Sequence, residues 1–426
     1  MIQLRDYQKL ALEKILWAKI SNLEGNSICV LPTGAGKSVV IANLASAISE
    51  PILILQPTKE ILEQNYSKLA QYVPAFEIGI YSASMNEKTI RHFTFATIGS
   101  IYNSAELFSH FKVVIIDECH LVNPKNLSSM FTSFLKKIGS PVCFGFTATP
   151  YRMDTAYFNE GVDNWGYPIL KATVATKLIN RMKGFFWQRL LFNIGISELI
   201  EKGFLCPLKY EDFSLIQQSE IPVNKSASDF DLTRYEKKIE SKKSQIRQAI
   251  DYAERVSKSV LVFCSSVGQA EKLAMEVSGA AVVSAKTPAR QRNKIIKDFK
   301  DGTIKTVFNV GVLTTGFDHP SLDCIVLLRP TKSIGLYYQM IGRGVRIAPG
   351  KEFCRVIDLT STVKNMGRVE TIKLVKRQKW ELESETGSWH GTPLYSYNIV
   401  KKLKEIPEEK PIQIQTPSLL PWNSVK

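Results

Sequence analysis

Cysteine pairs and long apolar runs are both missing from this sequence of 426 residues. None of its seven cysteines stands in a CxxC pair, which argues against a zinc ribbon, and their odd number argues against a disulfide framework. No apolar run approaches the ~20 residues that cross a bilayer, and the first residues lack the apolar core of a signal peptide. These absences favour a soluble protein in a reducing compartment inside the cell.

Acidic residues are also scarce. The chain has 55 lysines and arginines against 40 aspartates and glutamates, and its net charge of +15 is typical of proteins that bind a polyanion. Residues 164–197 contain no acidic residue but combine basic and aromatic ones: Lys171, Lys177, Arg181, Lys183 and Arg189 with Trp165, Tyr167, Phe185, Phe186, Trp187 and Phe192. This mixture suits a nucleic-acid backbone with stacked bases, whereas the alternative is an amphipathic helical hairpin with an aromatic core and solvated lysines.

Apolar residues make up 44% of the chain and occur in short runs separated by helical patterns. Such runs predict strands covered on both faces, as in parallel sheets flanked by helices, so we expect an α/β fold with two tandem units. The first unit is predicted over 1–207, with a basic and aromatic insertion at about 155–200. A polar connector over 208–243, a second unit over 244–362 and a C-terminal extension over 363–426, its end extended or disordered, complete the chain.

The stretch 32–38, PTGAGKS, follows a predicted strand and precedes a predicted helix. In this arrangement, backbone N–H groups of the loop and of the helix N-terminus surround the phosphates of a nucleoside triphosphate. Lys37 supplies a positive charge to the β- and γ-phosphates, and Ser38 supplies a hydroxyl to Mg²⁺. The first glycine of the usual pattern is absent. The predicted nucleotide-binding residues of this loop are Pro32, Thr33, Gly34, Ala35, Gly36, Lys37 and Ser38.

Asp117 and Glu118 follow the apolar run 113–116, at the carboxyl end of a predicted strand, where α/β folds place their ligand sites. Phosphoryl transfer needs a carboxylate near the metal ion and a group that orients the attacking water. Asp117 fits the first role, beside Ser38, and Glu118 fits the second. The alternative, an acidic surface turn, is disfavoured by the phosphate loop upstream.

The predicted second unit has no phosphate loop but contains Arg343 and Arg346. Arginines three residues apart lie on one face of a helix, so both can reach a transferring γ-phosphate. An arginine finger contributes ~10³–10⁵ in rate. Because these arginines lie outside the first unit, hydrolysis would require the two units to close; the alternative is a basic helix end.

Arg5 and Gln8 precede the phosphate loop and are candidates for hydrogen bonds to the edge of an adenine. Their spacing is weak evidence by itself, because an exposed helix start would have the same composition. They become more informative together with the segments downstream.

In order along the chain, these segments resemble the motifs of superfamily 2 helicases of the DExH type. Residues 4–8 resemble the adenine-reading Q motif, 32–38 motif I, 56–62 motif Ia, 117–120 motif II, 147–150 motif III, 309–318 motif V and 339–346 motif VI. The resemblance covers about residues 1–360. Within the superfamily the chain is most similar to the RadD-type and Ssl2-related DNA repair helicases of bacteria and phages, although its tail lacks their cysteine cluster.

The resemblance implies two RecA-like domains that hydrolyse ATP with Mg²⁺ at their interface, in the cytoplasm of a bacterium, where a phage-encoded protein would also act. It implies catalytic roles for Lys37, Asp117, Glu118, Gln339, Arg343 and Arg346, contacts to the nucleotide from Arg5, Gln8, Gly316 and Asp318, and coupling through Thr147 and Thr149. Single-stranded or branched DNA is the expected partner. Its expected contacts are Thr58, Thr97 and Thr315 at strand ends, and Lys177, Arg181 and Lys183 in the insertion.

The predicted function is an ATP-dependent DNA helicase or translocase of DNA repair, recombination or replication. An RNA helicase is an alternative, because a DExH motif does not exclude RNA. The motor subunit of a restriction system is another, and its nuclease would be a separate chain. A non-catalytic nucleic-acid clamp would predict a damaged motif II or a missing arginine finger, and the sequence has neither.

Overall fold

The computed structural model describes residues 3–122, 129–162, 168–179, 186–224, 229–314, 316–376, 380–385 and 392–393. Its strands are β1 (Asn26–Val30), β2 (Ile52–Gln56), β3 (Ile78–Ser82), β4 (Glu87–Lys88), β5 (Phe93–Thr97), β6 (Val113–Asp117), β7 (Val142–Thr147), β8 (Tyr151–Val162), β9 (Pro168–Leu178), β10 (Trp187–Asn193), β11 (Leu208–Asp212), β12 (Val260–Phe263), β13 (Ala281–Ser284), β14 (Thr306–Val310), β15 (Cys324–Leu327), β16 (Cys354–Asp358), β17 (Lys373–Lys376), β18 (Trp380–Glu383) and β19 (Thr392–Pro393).

The α-helices are α1 (Asp6–Ile20), α2 (Lys37–Ser46), α3 (Lys59–Leu69), α4 (Ile98–Ile101), α5 (Met130–Lys137), α6 (Ile196–Glu201), α7 (Leu232–Ile239), α8 (Lys243–Val256), α9 (Val267–Glu276), α10 (Ala289–Lys300), α11 (Ile334–Ile341) and α12 (Thr362–Met366). None of the helices in the described ranges is long and apolar enough to cross a membrane.

The first sheet has eight strands in the order β10-β1-β7-β6-β2-β5-β3-β4. All neighbouring strands are parallel except β3 and β4. The inner strands are apolar throughout because both faces of the sheet are covered; β2, for example, is buried along its whole length. This arrangement brings the carboxyl ends of β1, β2, β6 and β7 to the same edge of the sheet.

The second sheet has six strands in the order β11-β16-β15-β12-β14-β13, and all neighbours are parallel. The predicted α/β fold with two tandem units is thus confirmed. Residues 208–243, predicted as a connector, begin with β11, which is the edge strand of this sheet. Its polar composition resembles a linker because only Leu208 and Tyr210 pack against the core, while Lys209 and Asp212 are exposed.

The predicted insertion contains a long antiparallel hairpin, β8 and β9, in which Tyr151 pairs with Leu178 at the base. The helical hairpin considered for 164–197 is therefore wrong for the part of this segment that the structure describes. After the hairpin, β10 enters the first sheet beside β1. Trp187 and Phe192 of β10 are buried in the core, so these two aromatic residues are not exposed stacking groups.

The described part of the predicted C-terminal extension includes α12 and the antiparallel sheet β17-β18-β19. Val369, Ile372 and Leu382 from this region are buried in the cluster that also holds apolar residues of both parallel sheets. These contacts make the described residues as far as Glu385 part of the folded body.

Candidate nucleotide-binding site

The phosphate loop connects β1 to α2. Gly34 and Gly36 have φ of +83° and +79°, values in the left-handed region that favours glycine. A Cβ on Gly36 would also lie 2.5 Å from Nε2 of Gln8, so a larger residue would displace the Gln8 side chain. Gly36 is the N-cap of α2, and Lys37 is its first residue, which places the helix N-terminus directly behind the loop.

The start of α1 supports this loop from behind. Oη of Tyr7 and Nε2 of Gln8 both donate hydrogen bonds to the Ala35 carbonyl, at 2.8 and 2.9 Å. Oε1 of Gln8 accepts from the Arg5 backbone N–H at 3.0 Å. Gln8 is thereby committed to the protein on both sides of its amide, and it is 4% exposed. The Arg5 guanidinium instead lies over the Phe204 ring, 4.6 Å from its centroid, at the edge of the cavity.

The acidic pair lies at the end of β6. Asp117 accepts hydrogen bonds from the Glu118 backbone N–H at 2.9 Å and from Nδ2 of Asn65 at 3.0 Å. Glu118 has φ of +48°, an uncommon conformation for a residue with a side chain, and this turns its carboxylate toward the phosphate loop. There Nζ of Lys37 lies 3.2 Å from Oε1 of Glu118.

The two carboxyl groups have opposite pKa shifts. Burial and the adjacent Glu118 carboxylate raise the pKa of Asp117 above its ordinary value. Burial alone would raise the pKa of Glu118 too, but Lys37 and His120 outweigh it and lower that pKa. Glu118 is therefore ionised and neutralised within the protein, whereas Asp117 forms no ion pair with a lysine or arginine of the described residues.

His120 connects the acidic pair to the end of β7. Its Nδ1 lies 3.3 Å from Oε2 of Glu118 and 2.9 Å from Oγ1 of Thr147. Thr149 is at 3.5 Å from the same nitrogen. Arg152, the second residue of β8 at the base of the hairpin, donates to the His120 carbonyl at 2.8 Å. A continuous set of contacts thus joins the acidic pair, motif III and the base of the hairpin.

The second unit supplies the two predicted arginines. They lie beyond the end of α11 at Ile341, so the prediction that they share one face of a helix is wrong. The close approach to the first unit depends on Gly342, where a Cβ would already lie 3.0 Å from Cβ of Thr33 in the phosphate loop. Nη1 of Arg343 donates to the Phe317 carbonyl at 2.8 Å, and Arg346 forms an ion pair with Asp318. Burial lowers the pKa of Arg343 and of Arg346 to about 10, which leaves both charged at neutral pH.

The loop that contains Gly316 also contacts the first unit. Nε2 of Gln64 donates to the Gly316 carbonyl at 3.2 Å. A Cβ on Gly316, whose φ is +70°, would lie 3.5 Å from Oγ1 of Thr58. Loops of the second unit therefore contact the first unit around one cleft between the two sheets.

This cleft is a cavity of about 710 Å³. It brings together most of the predicted site residues: Arg5, Pro32, Thr33, Gly34, Gly36, Lys37, Ser38, Asp117, Glu118, Gly316, Asp318, Arg343 and Arg346. Gln8, Ala35 and Gln339 do not line it. Sequence reasoning missed Phe204 and Gln64, which line the cavity, and Asn65, which holds Asp117; no motif marked them, since each acts through a partner distant in sequence.

The predicted nucleic-acid residues are only partly described. Thr58 and Thr97 lie at the carboxyl ends of the neighbouring strands β2 and β5. Thr58 caps α3, with Oγ1 accepting from the Ile61 N–H at 3.4 Å, and Oγ1 of Thr97 bonds Ser100 at 2.8 Å. Arg181, Lys183, Thr315 and the side chain of Lys177 lie outside the described residues.

Two family matches cover the two units. Residues 1–152 match the family described as "Type III restriction enzyme, res subunit", and residues 241–348 match "Helicase conserved C-terminal domain". The chain belongs to the superfamily 2 helicases. This assignment agrees with the cavity, in which the motifs of the first unit face the arginines of the second.

Individual helicases are similar over much of the chain. A Saccharomyces cerevisiae protein named as the ATP-dependent helicase IRC3 is 25% identical, over 97% of this chain and 59% of its own length. The DNA 3'-5' translocase XPB2 of Sulfurisphaera tokodaii is 25% identical, over 81% of this chain and 79% of its own length. The chain spans 58 to 61% of the length of three of its curated relatives.

Solved structures share the fold. The fragment of an HsdR subunit of a type I restriction enzyme from Vibrio vulnificus superposes with a TM-score of 0.62 and 18% identity. The match covers 84% of this chain and 64% of that one. At this identity the comparison supports the architecture of the helicase fold.

Proposed function

We propose that this helicase is an ATP-dependent DNA translocase or helicase, in which hydrolysis between the two sheets drives movement along DNA. The observation that carries the proposal is the single cavity that joins Lys37, Glu118 and Arg346. Phosphoryl transfer uses loop N–H groups, a water-orienting carboxylate and an arginine finger, and the residues that line this cavity fit these three roles.

In the proposed reaction, N–H groups of the phosphate loop and Lys37 hold the phosphates, and Arg5 with Phe204 flanks the base. Glu118 orients the attacking water. Arg343 and Arg346 neutralise the charge that develops on the γ-phosphate. Because the arginines come from the second unit, nucleotide binding closes the cleft and product release opens it, and this cycle moves the two units along the bound strand.

The site also fits Mg²⁺, with Ser38 and Asp117 as its protein ligands. The fit rests on donor chemistry, since both offer oxygen and both line the cavity, and on the unpaired charge of Asp117 beside Glu118. When bound, the ion would supply positive charge that offsets the negative charge of the phosphates.

The names of several relatives favour DNA as the partner. XPB2 is named a DNA 3'-5' translocase, and a Haloarcula marismortui protein that is 27% identical over 331 residues is named a DNA 3'-5' helicase. The net charge of +15 supports affinity for a polyanion. Single-stranded or branched DNA is the proposed substrate, and the cytoplasm of a bacterium the proposed compartment.

The test compares ATP turnover with single-stranded DNA, duplex DNA, forked DNA and RNA, at several salt concentrations. We expect single-stranded or forked DNA to stimulate turnover most, with little dependence on base sequence and a steep loss of affinity as salt rises. Equal or stronger stimulation by RNA would support the RNA helicase instead. Absence of turnover with every nucleic acid would refute the proposal.

A restriction motor is the second candidate, because the match over residues 1–152 is to a restriction-enzyme subunit family. In this candidate function, the chain would move along duplex DNA without separating its strands. Duplex-stimulated turnover, with displacement of a bound triplex strand but no unwinding of a fork, would favour this candidate.

A further inference from the structure

Lys351 occupies an unusual position behind the arginine fingers. Its Nζ donates hydrogen bonds to the backbone carbonyls of Gly344 at 2.7 Å, Arg346 at 2.8 Å and Pro320 at 3.1 Å. A lysine ammonium has three N–H donors and no acceptor, so these three carbonyls use its full capacity. Among the described residues, no carboxylate forms an ion pair with Lys351.

The three carbonyls belong to two segments that both reach the cavity. Gly344 and Arg346 lie in the segment that carries the fingers, after α11 has ended at Ile341. Pro320 follows the loop of Gly316 and Asp318. Lys351 therefore ties together the two parts of the second unit that face the nucleotide.

The backbone of residues 344–346, next to the two arginines, is held by further contacts. The Val345 carbonyl accepts from the Cys206 N–H at 2.7 Å, so the carbonyls of residues 344, 345 and 346 are all bound. A Cβ on Gly344 would overlap Cys354 and lie 3.0 Å from Cδ1 of Ile325, so this backbone is packed without spare room. Two of these three anchors come from the single ammonium of Lys351.

We propose that Lys351 is a positioning residue for ATP hydrolysis, which holds the backbone of Arg346 so that its guanidinium meets the γ-phosphate. The inference rests on the proposed function. Lys351 does not line the nucleotide cavity, so it acts through Arg346. Burial lowers the pKa of Lys351, because it removes the ammonium from water.

The first test replaces Lys351 by methionine, which keeps the length of the side chain and removes its donors. Because misplacement of a catalytic group by about 1 Å costs on the order of 10²-fold, we expect kcat to fall by ~10–100-fold, with KM for ATP and DNA affinity nearly unchanged. Lys351→Arg retains N–H donors and should restore much of kcat. Lys305→Met, at an exposed lysine of the same unit, is the matched control.

A double-mutant cycle separates positioning from general stability. If Lys351 acts through Arg346, the variant with Lys351→Met and Arg346→Ala will turn over ATP no more slowly than Arg346→Ala alone. Multiplying losses, or a KM that rises as much as kcat falls, would overturn the proposal. Should Lys351→Met fail to fold in a thermal melt, Lys351→Gln takes its place in the cycle with the same expectations.

Failure of this inference is distinguishable from failure of the proposed function. If the wild-type chain has no DNA-stimulated ATP turnover, the proposed function fails. If the wild-type chain turns over ATP and Lys351→Met matches it, only the role of Lys351 is refuted.

Discussion

The two parallel sheets are built alike, yet they contribute different chemistry to the same cleft. In the first, the connection after β1 is a glycine-bearing loop that runs into α2, so backbone N–H groups point into the cavity. In the second, the described part of the connection after β14 forms no helix. This connection contributes Asp318, and the segment after α11 contributes the two arginines.

The side chain of Asn309 explains part of this difference. Its Oδ1 accepts hydrogen bonds from the N–H groups of Val312 and Leu313, at 3.3 and 2.9 Å. These N–H groups hold the loop in shape and are not offered to a ligand. We therefore expect the first unit to bind phosphate with its backbone and the second unit to bind it with side-chain cations.

The largest effect on ATP turnover is expected when the phosphate-binding site of the first unit loses a charged side chain. Lys37→Ala and Glu118→Gln should each abolish ATP turnover without lowering the melting temperature by more than a few degrees. Glu118→Gln should still bind ATP, because only the orientation of water is lost. Turnover assays, nucleotide binding and thermal melts check this, with Lys112→Ala, at an exposed lysine of the first unit, as control. Near-normal turnover in either variant would contradict the assignment.

The cation side of the cleft is tested by Arg346→Ala. We expect kcat to fall by ~10³-fold or more, with ATP affinity retained, because the finger acts on charge that develops in the transition state. Arg346→Lys should recover little, since a lysine cannot provide the planar, bidentate geometry. A large loss of ATP affinity with unchanged kcat would show instead that the second unit binds the ground state.

A smaller effect is expected from the basic insertion of the first unit. Replacing Lys177, Arg181 and Lys183 by alanine should weaken DNA binding and reduce its salt dependence, because a protein that makes fewer phosphate contacts releases fewer counterions on binding. DNA-free ATP turnover and thermal stability should stay nearly unchanged. Lys177→Arg with Lys183→Arg preserves the charge and serves as control. Unaltered DNA affinity in the alanine variant would assign the segment a structural role.

The smallest effect concerns His319 of the second unit, whose Nε2 bonds Oγ of Ser259 at 2.9 Å. Burial, with Lys300 and Lys351 nearby, lowers the pKa of His319 to about 4 from an ordinary 6.5. His319 takes up a proton at a higher pH in the unfolded chain than in the folded protein. The contribution of neutral His319 to folding stability is therefore complete above pH 6.5 and is lost as the pH falls toward 4. Urea unfolding at pH 5 and pH 7 should show a smaller difference for His319→Gln than for the wild type. An identical difference would refute the assignment.

Most of the strands were predictable because buried parallel strands are short, continuous apolar runs. The edge strand β11 was not, since its polar alternation resembles a linker. Trp187 and Phe192 were predicted among the aromatics of a nucleic-acid surface and are core residues. Aromatic side chains serve either purpose, and only the placement of β10 beside β1 decides between them.

The roles of Gln8 and Arg5 show the same limit within the site. Both stood in a motif associated with adenine, but the amide of Gln8 is engaged by Ala35 and the Arg5 backbone, while the Arg5 guanidinium lies at the cavity. The hydrogen bond between Gln8 and Ala35, which are 27 residues apart in the sequence, directs the Gln8 amide to the protein. The spacing of residues within the motif carries no information about such a bond.

Local sequence was sufficient for the phosphate loop, the acidic pair and the arginine pair, because each is a contiguous segment whose chemistry follows from residue type and its place at a strand or helix end. Only the tertiary structure brings these segments to one cavity. It also places Phe204 at the cavity, Asn65 beside Asp117 and Lys351 against the Arg346 backbone. Their partners lie at distant positions in the chain, so their roles depend on the packing of one sheet edge against another, and no local pattern encodes that packing.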